Sequence, residues 1–527
     1  MVKVWTIKIA GPAGTGIKSA GNLLSQILNQ SGYFLKDYSE YPSLVRGGHN
    51  TYQISFSSEA VFAVYRGVDL MVSLQTGHWQ EHQKEFNKKT ILLTDNNGGL
   101  NLPLTTMCTQ LGGKIYANMI ALGVICFLLD VDQKLALKVV KNHFGQDEAD
   151  RQAFELGWKY GTDNFQKLKI EKVKKFKKEK MIVDGNEAVG WGLYKAGLNL
   201  FAAYPMTPAT GLLHFLAKNQ DKFKIRVIHP EDEIAAAAIA CGASMAGGRS
   251  ATGTSGGGFA LMTESVSLAG AAELGVVFYL SQRPGPATGM PTWTSQGDLL
   301  FAVNAGHGEF PKIVLAPGDQ REAFELGKKS LNLANKFDVP VILISDKNLS
   351  ESSANIDDLA VEKMEIIESK KAIPGKGQKI KLYNSYEHDE AGFSVEEANK
   401  AKINARMRLK KIEKIKKFLP KANLYGSSKA KKLIVCWGSV KGAVLEAIKT
   451  MRNKEEFAVL QIVSLWPLEE NLEKIINSFS ERILIENNAF GQLGQLLKSI
   501  MKVDFKKRIL KYDGRPFFPE EIKGALE

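Results

Sequence analysis

Short apolar runs rich in β-branched residues recur along this 527-residue chain, and most hand over to a glycine-bearing turn and then a helical pattern. That alternation admits few architectures: parallel-rich sheets wound with helices on both faces. In the first stretch, Val4–Ala10 leads into Gly11-Pro12-Ala13-Gly14-Thr15-Gly16, and the helical pattern IKSAGNLLSQILNQSG closes at Gly32. Strand-like runs follow at Tyr52–Phe56, Leu70–Ser73 and Thr90–Leu93. A lysine-rich run then marks a boundary. In the second stretch, Met181–Asp184 precedes a Gly/Ala helix pattern, and the runs VVFYL, KIVLA and PVILIS alternate with helices. Residues 351–428 are polar without clear α/β alternation and read as a connector containing one helix. A third, smaller α/β pattern begins at Lys432–Trp437. The expected division is 1–170, 181–350, a connector at 351–428, and 429–527: an α/β chain of three doubly wound, Rossmann-like units. It agrees with a prior of about 100–200 residues per domain.

Composition narrows the class. Apolar residues make up 44% and charged residues 24%, values that leave ample material for buried cores and exclude a disordered chain. The formal charge is +13. Residues 167–180 carry eight Lys against two Glu, and residues 407–417 carry six basic residues against one Glu, so the rest of the chain is nearly neutral. Both runs read as solvated linker or helix faces, although a basic balance also suits nucleic acid, acidic cofactors or acidic protein partners. The four cysteines, Cys108, Cys126, Cys241 and Cys436, form no C-x-x-C, which argues against a zinc site or iron–sulfur cluster built by this chain alone. Scattered thiols suit a reducing compartment, and the N-terminus opens on a strand-like run without a signal-peptide pattern. The longest apolar stretch, Met119–Leu129, falls short of the roughly 20 residues a membrane span needs. A cytoplasmic protein is expected.

Five constellations could carry chemistry. Gly11–Gly16 lies between strand and helix, where bare backbone and helix N–H groups can cradle a phosphate; a tight turn explains it equally well. Tyr204-Pro205-Met206-Thr207-Pro208 is stiffened by two prolines at a strand's carboxyl end. There Thr207 could present a hydroxyl to a carboxylate, or Thr207 or Thr210 could cap the next helix. Glu231-Asp232-Glu233 precedes an alanine-rich helix; acids there satisfy the helix dipole, or one of them reaches a basic ring nitrogen. Thr252–Gly258 is a glycine run that admits a ligand or merely turns. Gln282–Thr292 is a Gly/Pro loop carrying Arg283, a natural bidentate partner for a carboxylate, or else one half of a surface ion pair.

Together these motifs and their order resemble the 2-oxoacid:ferredoxin oxidoreductases, most closely the alpha subunit with the gamma domain fused at its N-terminus, as in 2-oxoglutarate ferredoxin oxidoreductases. The first portion contributes GPAGTG and YPSLVRGGHN (41–50). The second contributes YPMTP, the Glu233 helix, TSGGGFALMTES, and QRPGPATGMPT followed by QGDL. The connector contributes EHDEAGF (387–393), and the C-terminal portion IENNAFGQLG and KYDGRPF. The likeness spans nearly the whole chain.

The resemblance implies a thiamine diphosphate enzyme whose cofactor is shared with a beta subunit. This chain would embrace the aminopyrimidine end; the partner would hold the diphosphate, Mg2+ and an iron–sulfur cluster. It implies coenzyme A-dependent oxidative decarboxylation of a 2-oxoacid, with ferredoxin as electron acceptor. It assigns Glu233 to the ring N1′, where a carboxyl drives the aminopyrimidine toward its imino tautomer. Thr207 and Arg283 fall at the substrate, and Gly14, Thr15 and Gly16 near coenzyme A. It makes 181–350 the pyrimidine-type domain and 429–527 a transketolase C-terminal-like domain serving assembly. Two departures bear on specificity. Ser255-Gly256-Gly257-Gly258 replaces Ser-Gly-Pro-Gly, and Trp293 stands where a basic residue is expected. They leave pyruvate or branched-chain 2-oxoacids open beside 2-oxoglutarate. Another thiamine enzyme subunit of transketolase type, and a nucleic-acid-binding protein, are the competing readings.

Overall fold

The computed structural model describes residues 2–43, 48–95, 98–144, 148–367, 372–376 and 382–527. Of the motif at 41–50, residues 44–47 lie outside the described residues. The chain divides into two compact units.

The first unit comprises residues 1–183, 352–358 and 518–527. Its eight-stranded sheet runs in the order Leu100–Asn101, Phe86–Thr94, Val68–Ser73, Trp5–Pro12, His49–Ser57, Phe34–Glu40, Ser353–Asp357, Lys180–Asp184. Trp5–Pro12 pairs in parallel with Val68–Ser73 and antiparallel with His49–Ser57, so parallel and antiparallel halves meet at the first strand. The helix Ile17–Ser31 follows the glycine turn and ends at Gly32, whose φ of 102° supplies the left-handed cap that glycine adopts without penalty. Its Leu23, Leu24, Ile27 and Leu28 are fully buried in a core shared with the apolar helix Ala117–Leu128. That apolar helix is buried along its whole length, which explains why the longest apolar stretch of the sequence belongs to a core.

The second unit comprises residues 184–351 and 359–517 and holds two sheets. The larger runs Ser464–Trp466, Ile313–Leu315, Val341–Asp346, Val276–Gln282, Ser250–Thr254, Leu200–Ala202, Arg226–Ile228, parallel throughout except at Ser464–Trp466. Its central strands are buried on both faces, as near-continuous runs such as VVFYL require. The smaller runs Asn423–Tyr425, Phe457–Gln461, Lys432–Cys436, Glu481–Glu486, Lys507–Leu510, parallel except at its first strand. The buried Lys441 ammonium, on helix Val440–Lys449, is paired with Asp319 and Glu322 at the start of helix Gln320–Phe337.

The expected connector is more ordered than its composition implies. Ser353–Asp357 forms a strand in the first unit's sheet, and Ala398–Lys416 is the anticipated helix. Ser353–Asp357 eludes sequence reading because SANID is short and polar. It is fixed by specific bonds: Asn355 Oδ1 accepts from Leu35 N at 3.1 Å, and its Nδ2 donates to Tyr33 O at 2.8 Å. Among the described residues no helix is long and apolar enough to cross a membrane.

Two helices of the first unit meet glycine to backbone. Gly157 in Glu148–Asn164 lies against the Ile120 carbonyl, and Gly123 against the Phe154 carbonyl, so a β-carbon at either position overlaps main chain. Gly157→Ala is expected to destabilise this unit by about 1–3 kcal/mol, because a rigid helix must move. Gly524→Ala adds its methyl to open space and is expected to leave stability unchanged or slightly raised. Urea midpoints followed by hydrogen exchange at unit-one amides check both.

Candidate active site

The larger sheet of the second unit has a topological switch point. Leu200–Ala202 is followed in sequence by Arg226–Ile228 on one side and by Ser250–Thr254 on the other. Connections leave in opposite directions there and open a crevice at the carboxyl ends, where such sheets bind ligands. YPMTP leaves one lip, the glycine run leaves the other, and the Gly/Pro loop follows the adjacent strand Val276–Gln282.

The acidic triplet divides its labour. Asp232 caps the helix Glu233–Met245, its carboxylate accepting from Ala235 N at 2.7 Å. Glu233 is therefore not needed at the helix end and turns inward, where it is only 4% exposed. Its Oε1 is buried without a hydrogen-bond partner. An orphaned carboxylate oxygen is costly, and a ring nitrogen carrying or sharing a proton is the partner it lacks. The donor set here thus fits the aminopyrimidine end of thiamine diphosphate.

The glycine run explains how that carboxyl is accommodated. Gly256, Gly257 and Gly258 open the helix Gly256–Ala271. A β-carbon at Gly258 would overlap Thr254 Oγ1 and stand 2.6 Å from Glu233 Oε1. One at Gly256 would stand 2.6 Å from Asp298 Oδ2. The atoms that approach this bare backbone are the chain's own carboxyl groups.

Thr207 and Arg283 meet: Arg283 Nη1 donates to the Thr207 carbonyl at 2.8 Å. This anchors the guanidinium and leaves its remaining N–H groups for other acceptors. Neither Thr207 nor Thr210 caps the following helix, whose N-cap is Ala209 without a side-chain bond. Thr254 Oγ1 lies 3.7 Å from Met206 Sδ, tying the YPMTP lip to the glycine lip. Burial lowers the Arg283 pKa, while the negative charges of Asp298 and Glu233 oppose that shift.

Asp298 is the residue that sequence reasoning missed. It belongs to the QGDL motif, where it is given no role of its own. In the structure its side chain makes no cap bond, and Oδ2 is buried without a partner. Its backbone N–H donates to Gln282 Oε1 at 2.9 Å, which fixes the carboxyl beside Gly256. Trp293, the departure expected to remove a cation from this loop, carries the Arg515 guanidinium 3.2 Å above its ring.

In the first unit, Gly14 and Gly16 adopt φ of 87° and 75°, and Thr15 Oγ1 donates to Pro12 O at 2.7 Å, closing the turn on itself. Space beside Gly14 is open, whereas Gly16 abuts the Asn118 amide, whose Oδ1 is a buried orphan. His49 pairs with Pro12 across the sheet, and its ring lies in a line with His78 at 2.9 Å and His82 at 2.6 Å. Burial, foremost, lowers His49 to a pKa of about 4. Among the described residues no group of three His, Cys, Asp or Glu is arranged to hold a metal ion.

The fold and crevice define an α/β protein of the thiamine diphosphate-binding kind, and comparison with known proteins gives the family. Residues 191–414 match the family model described as "Pyruvate flavodoxin/ferredoxin oxidoreductase, thiamine diP-bdg", and residues 6–160 match "Pyruvate ferredoxin/flavodoxin oxidoreductase". The 2-oxoacid:ferredoxin oxidoreductase subunit alpha of a Sulfolobus species is 30% identical over 98% of this chain and 96% of its own. The 2-oxoglutarate synthase subunit KorA of Archaeoglobus fulgidus is 30% identical, over 66% of this chain and 99% of its own. A solved 2-oxoglutarate:ferredoxin oxidoreductase from Magnetococcus marinus, with 2-oxoglutarate, coenzyme A and succinyl-CoA bound, superimposes with a TM-score of 0.92 at 26% identity, covering 99% of both chains. The chain belongs to the 2-oxoacid:ferredoxin oxidoreductase alpha-subunit family.

Burial pushes the Asp298 carboxyl up to about 6, against the opposing pull of Arg283. The folded protein then holds this proton more tightly than the unfolded chain, so the group lowers stability progressively as pH rises through that range. Asp298→Asn is expected to stabilise the second unit by about 2–3 kcal/mol near pH 8 and to change little near pH 4. Denaturant midpoints at the two pH values check it.

Proposed function

We propose that this chain is the alpha-type subunit, with fused gamma portion, of an enzyme that oxidatively decarboxylates a 2-oxoacid in the presence of coenzyme A. Electrons pass to ferredoxin. The observation that carries this reading is the buried, unpartnered Glu233 oxygen at the switch-point crevice. Thiamine diphosphate, when bound, would supply the electron sink that takes up the bonding pair left behind as the substrate's carboxyl group departs as CO2. Glu233 holds a proton at the ring nitrogen, Gly258 allows that approach, and Arg283, anchored on Thr207, binds the substrate carboxylate.

The division of labour follows from what the chain offers. All four cysteines are free and buried; burial raises the Cys436 thiol to about 12 and the Cys126 thiol further, which disfavours the thiolates a cluster needs. We therefore assign the iron–sulfur cluster, Mg2+ and the diphosphate grip to a beta subunit that forms a heterodimer with this chain. Coenzyme A would lie toward Gly14, Thr15 and Gly16, where the open side of Gly14 leaves room. The segment order would be gamma-type 1–170, pyrimidine-type 181–350, connector 351–428 and transketolase C-terminal-like 429–527. The compartment would be the cytoplasm. Among 2-oxoacids we favour 2-oxoglutarate, since Arg515 over Trp293 keeps a cation beside the substrate loop.

Copurified with its beta subunit, the chain is expected to reduce a viologen dye with 2-oxoglutarate and coenzyme A, with higher kcat/KM than for pyruvate. Glu233→Gln is expected to lower kcat at least about 100-fold, the scale of a lost proton-transfer group. Strict NAD dependence, or full activity of Glu233→Gln in a folded complex, would refute the reading.

A further inference from the structure

The crevice holds one cation and two carboxyl groups. Glu233 and Asp298 face opposite ends of the same three glycines, at Gly258 and Gly256. Arg283 senses the charge of both. Each carboxyl has one buried oxygen that no group in the chain satisfies. Arg283 is the charged group facing Asp298, from the loop after Val276–Gln282. The Gln282 amide oxygen at its backbone N–H and the bare Gly256 backbone at its carboxyl are uncharged.

A substrate carboxylate arriving at Arg283 adds a third negative charge. It also competes for the guanidinium, whose positive charge stabilises ionised Asp298. A desolvated carboxylate that loses its counter-charge neutralises itself by taking a proton. Glu233 is the less suitable acceptor, because its free oxygen is committed to the cofactor ring in the reading above. We propose that Asp298 takes up one proton from solvent as the 2-oxoacid binds, so that substrate affinity is proton-linked through a residue that touches neither the cofactor nor the reacting carbon. Asp298 is thus a positioning residue: it sets the charge state of the pocket that Arg283 serves. The proposal rests on Arg283 being the carboxylate's partner.

The sign follows from linkage. Affinity is greatest where Asp298 is already protonated and falls as pH rises above the free group's titration. That fall approaches about tenfold per pH unit for one linked proton and ends where the bound form titrates. N-oxalylglycine has the carboxylates and carbonyl of 2-oxoglutarate but an amide in place of the carbon chain, and so does not decarboxylate. Titrating it into the alpha–beta complex by calorimetry, from about pH 5.5 to about pH 8.5 and in buffers of different protonation enthalpy, counts the protons directly. The expected result is uptake approaching one proton at about neutral pH, a dissociation constant rising with pH, and loss of both in Asp298→Asn with tighter binding above neutrality. Asp298→Glu should restore the linkage. In turnover the same dependence should appear in KM for 2-oxoglutarate rather than in kcat, a split that a merely structural role would not produce. Proton uptake near zero in the wild-type complex, or uptake retained in Asp298→Asn, overturns the proposal. That wild-type count decides it even where a variant fails to fold. A complex that turns over 2-oxoglutarate yet does not bind N-oxalylglycine at any pH also overturns it, while leaving the proposed function standing. A complex without 2-oxoacid turnover overturns both.

Discussion

Two side chains are missing where the carboxyl groups of the second unit need them missing. Gly256 and Gly258 lie in the first turn of a helix that would be more stable with alanine, at a cost of about 0.5–1 kcal/mol per glycine. The return is that two carboxyl groups approach the same stretch of main chain, where β-carbons would meet their oxygens at 2.6 Å. Everything chemical about the crevice follows from that approach. Glu233 can be buried, Asp298 can be held near it, and Arg283 stands as the single cation between two acids. Local propensity is sacrificed for the site, the kind of conflict that marks functional positions in an otherwise consistent sequence.

A loop bearing such groups must be held still, and the smaller sheet of the same unit does this. Gln296 donates through Nε2 to Trp437 O at 2.9 Å and accepts at Oε1 from Asn487 N at 2.9 Å. Its own backbone N–H donates to Asn487 O, and its carbonyl accepts from Asn488 Nδ2. Gln492 adds two bonds, to Gly297 O and from Leu300 N. Asn488 is in turn oriented by Glu486, a fully buried carboxyl that also receives the Trp437 indole N–H and the backbone of Leu493 and Gly494. The IENNAFGQLG motif thereby clamps the two residues before Asp298 and the helix after it. The C-terminal portion, whose expected role is assembly, holds the loop that carries Asp298, which is the kind of preorganisation a binding site requires.

How much of this was legible depended on how local each signal was. The strand, turn and helix at Trp5–Ser31 announced themselves, because a buried strand, left-handed glycines and an apolar helix face are written within one short stretch. The acidic triplet alone left helix dipole and ring nitrogen both open; the family resemblance singled out Glu233, and in the structure Asp232 takes the cap. The strand Phe34–Glu40 was harder, since FLKDYSE carries charge. Its Asp37 is buried only because Tyr52 Oη and Ser353 N donate to it, and Ser353 is distant in sequence. Asp298 was illegible for a related reason. Its role comes from Gly256, Arg283 and Gln282, none of which lies within ten residues of it. The meeting of Arg515 with Trp293 joins residues even farther apart, so the loop's lost cation could be noticed in the sequence but not its replacement.

The same distinction between composition and placement bears on the net charge. Part of each basic run is engaged with its own unit. Lys167 and Lys172 both pair with Asp130, at 2.5 and 2.8 Å, and Ile170 and Val173 between and beside them pack on the first unit's core. On the helix Ala398–Lys416, Lys416 pairs with Glu413 and Glu470, and Lys411 donates to Phe337 O at 2.8 Å. Arg408 makes a bidentate pair with Glu387, lowering that acid to about 2. A groove that tracks a nucleic-acid backbone needs cations left for phosphates and aromatic faces between them. The lysines and arginines named here instead fasten extended and helical segments onto their own units, so this part of the basic charge follows from how those segments are attached.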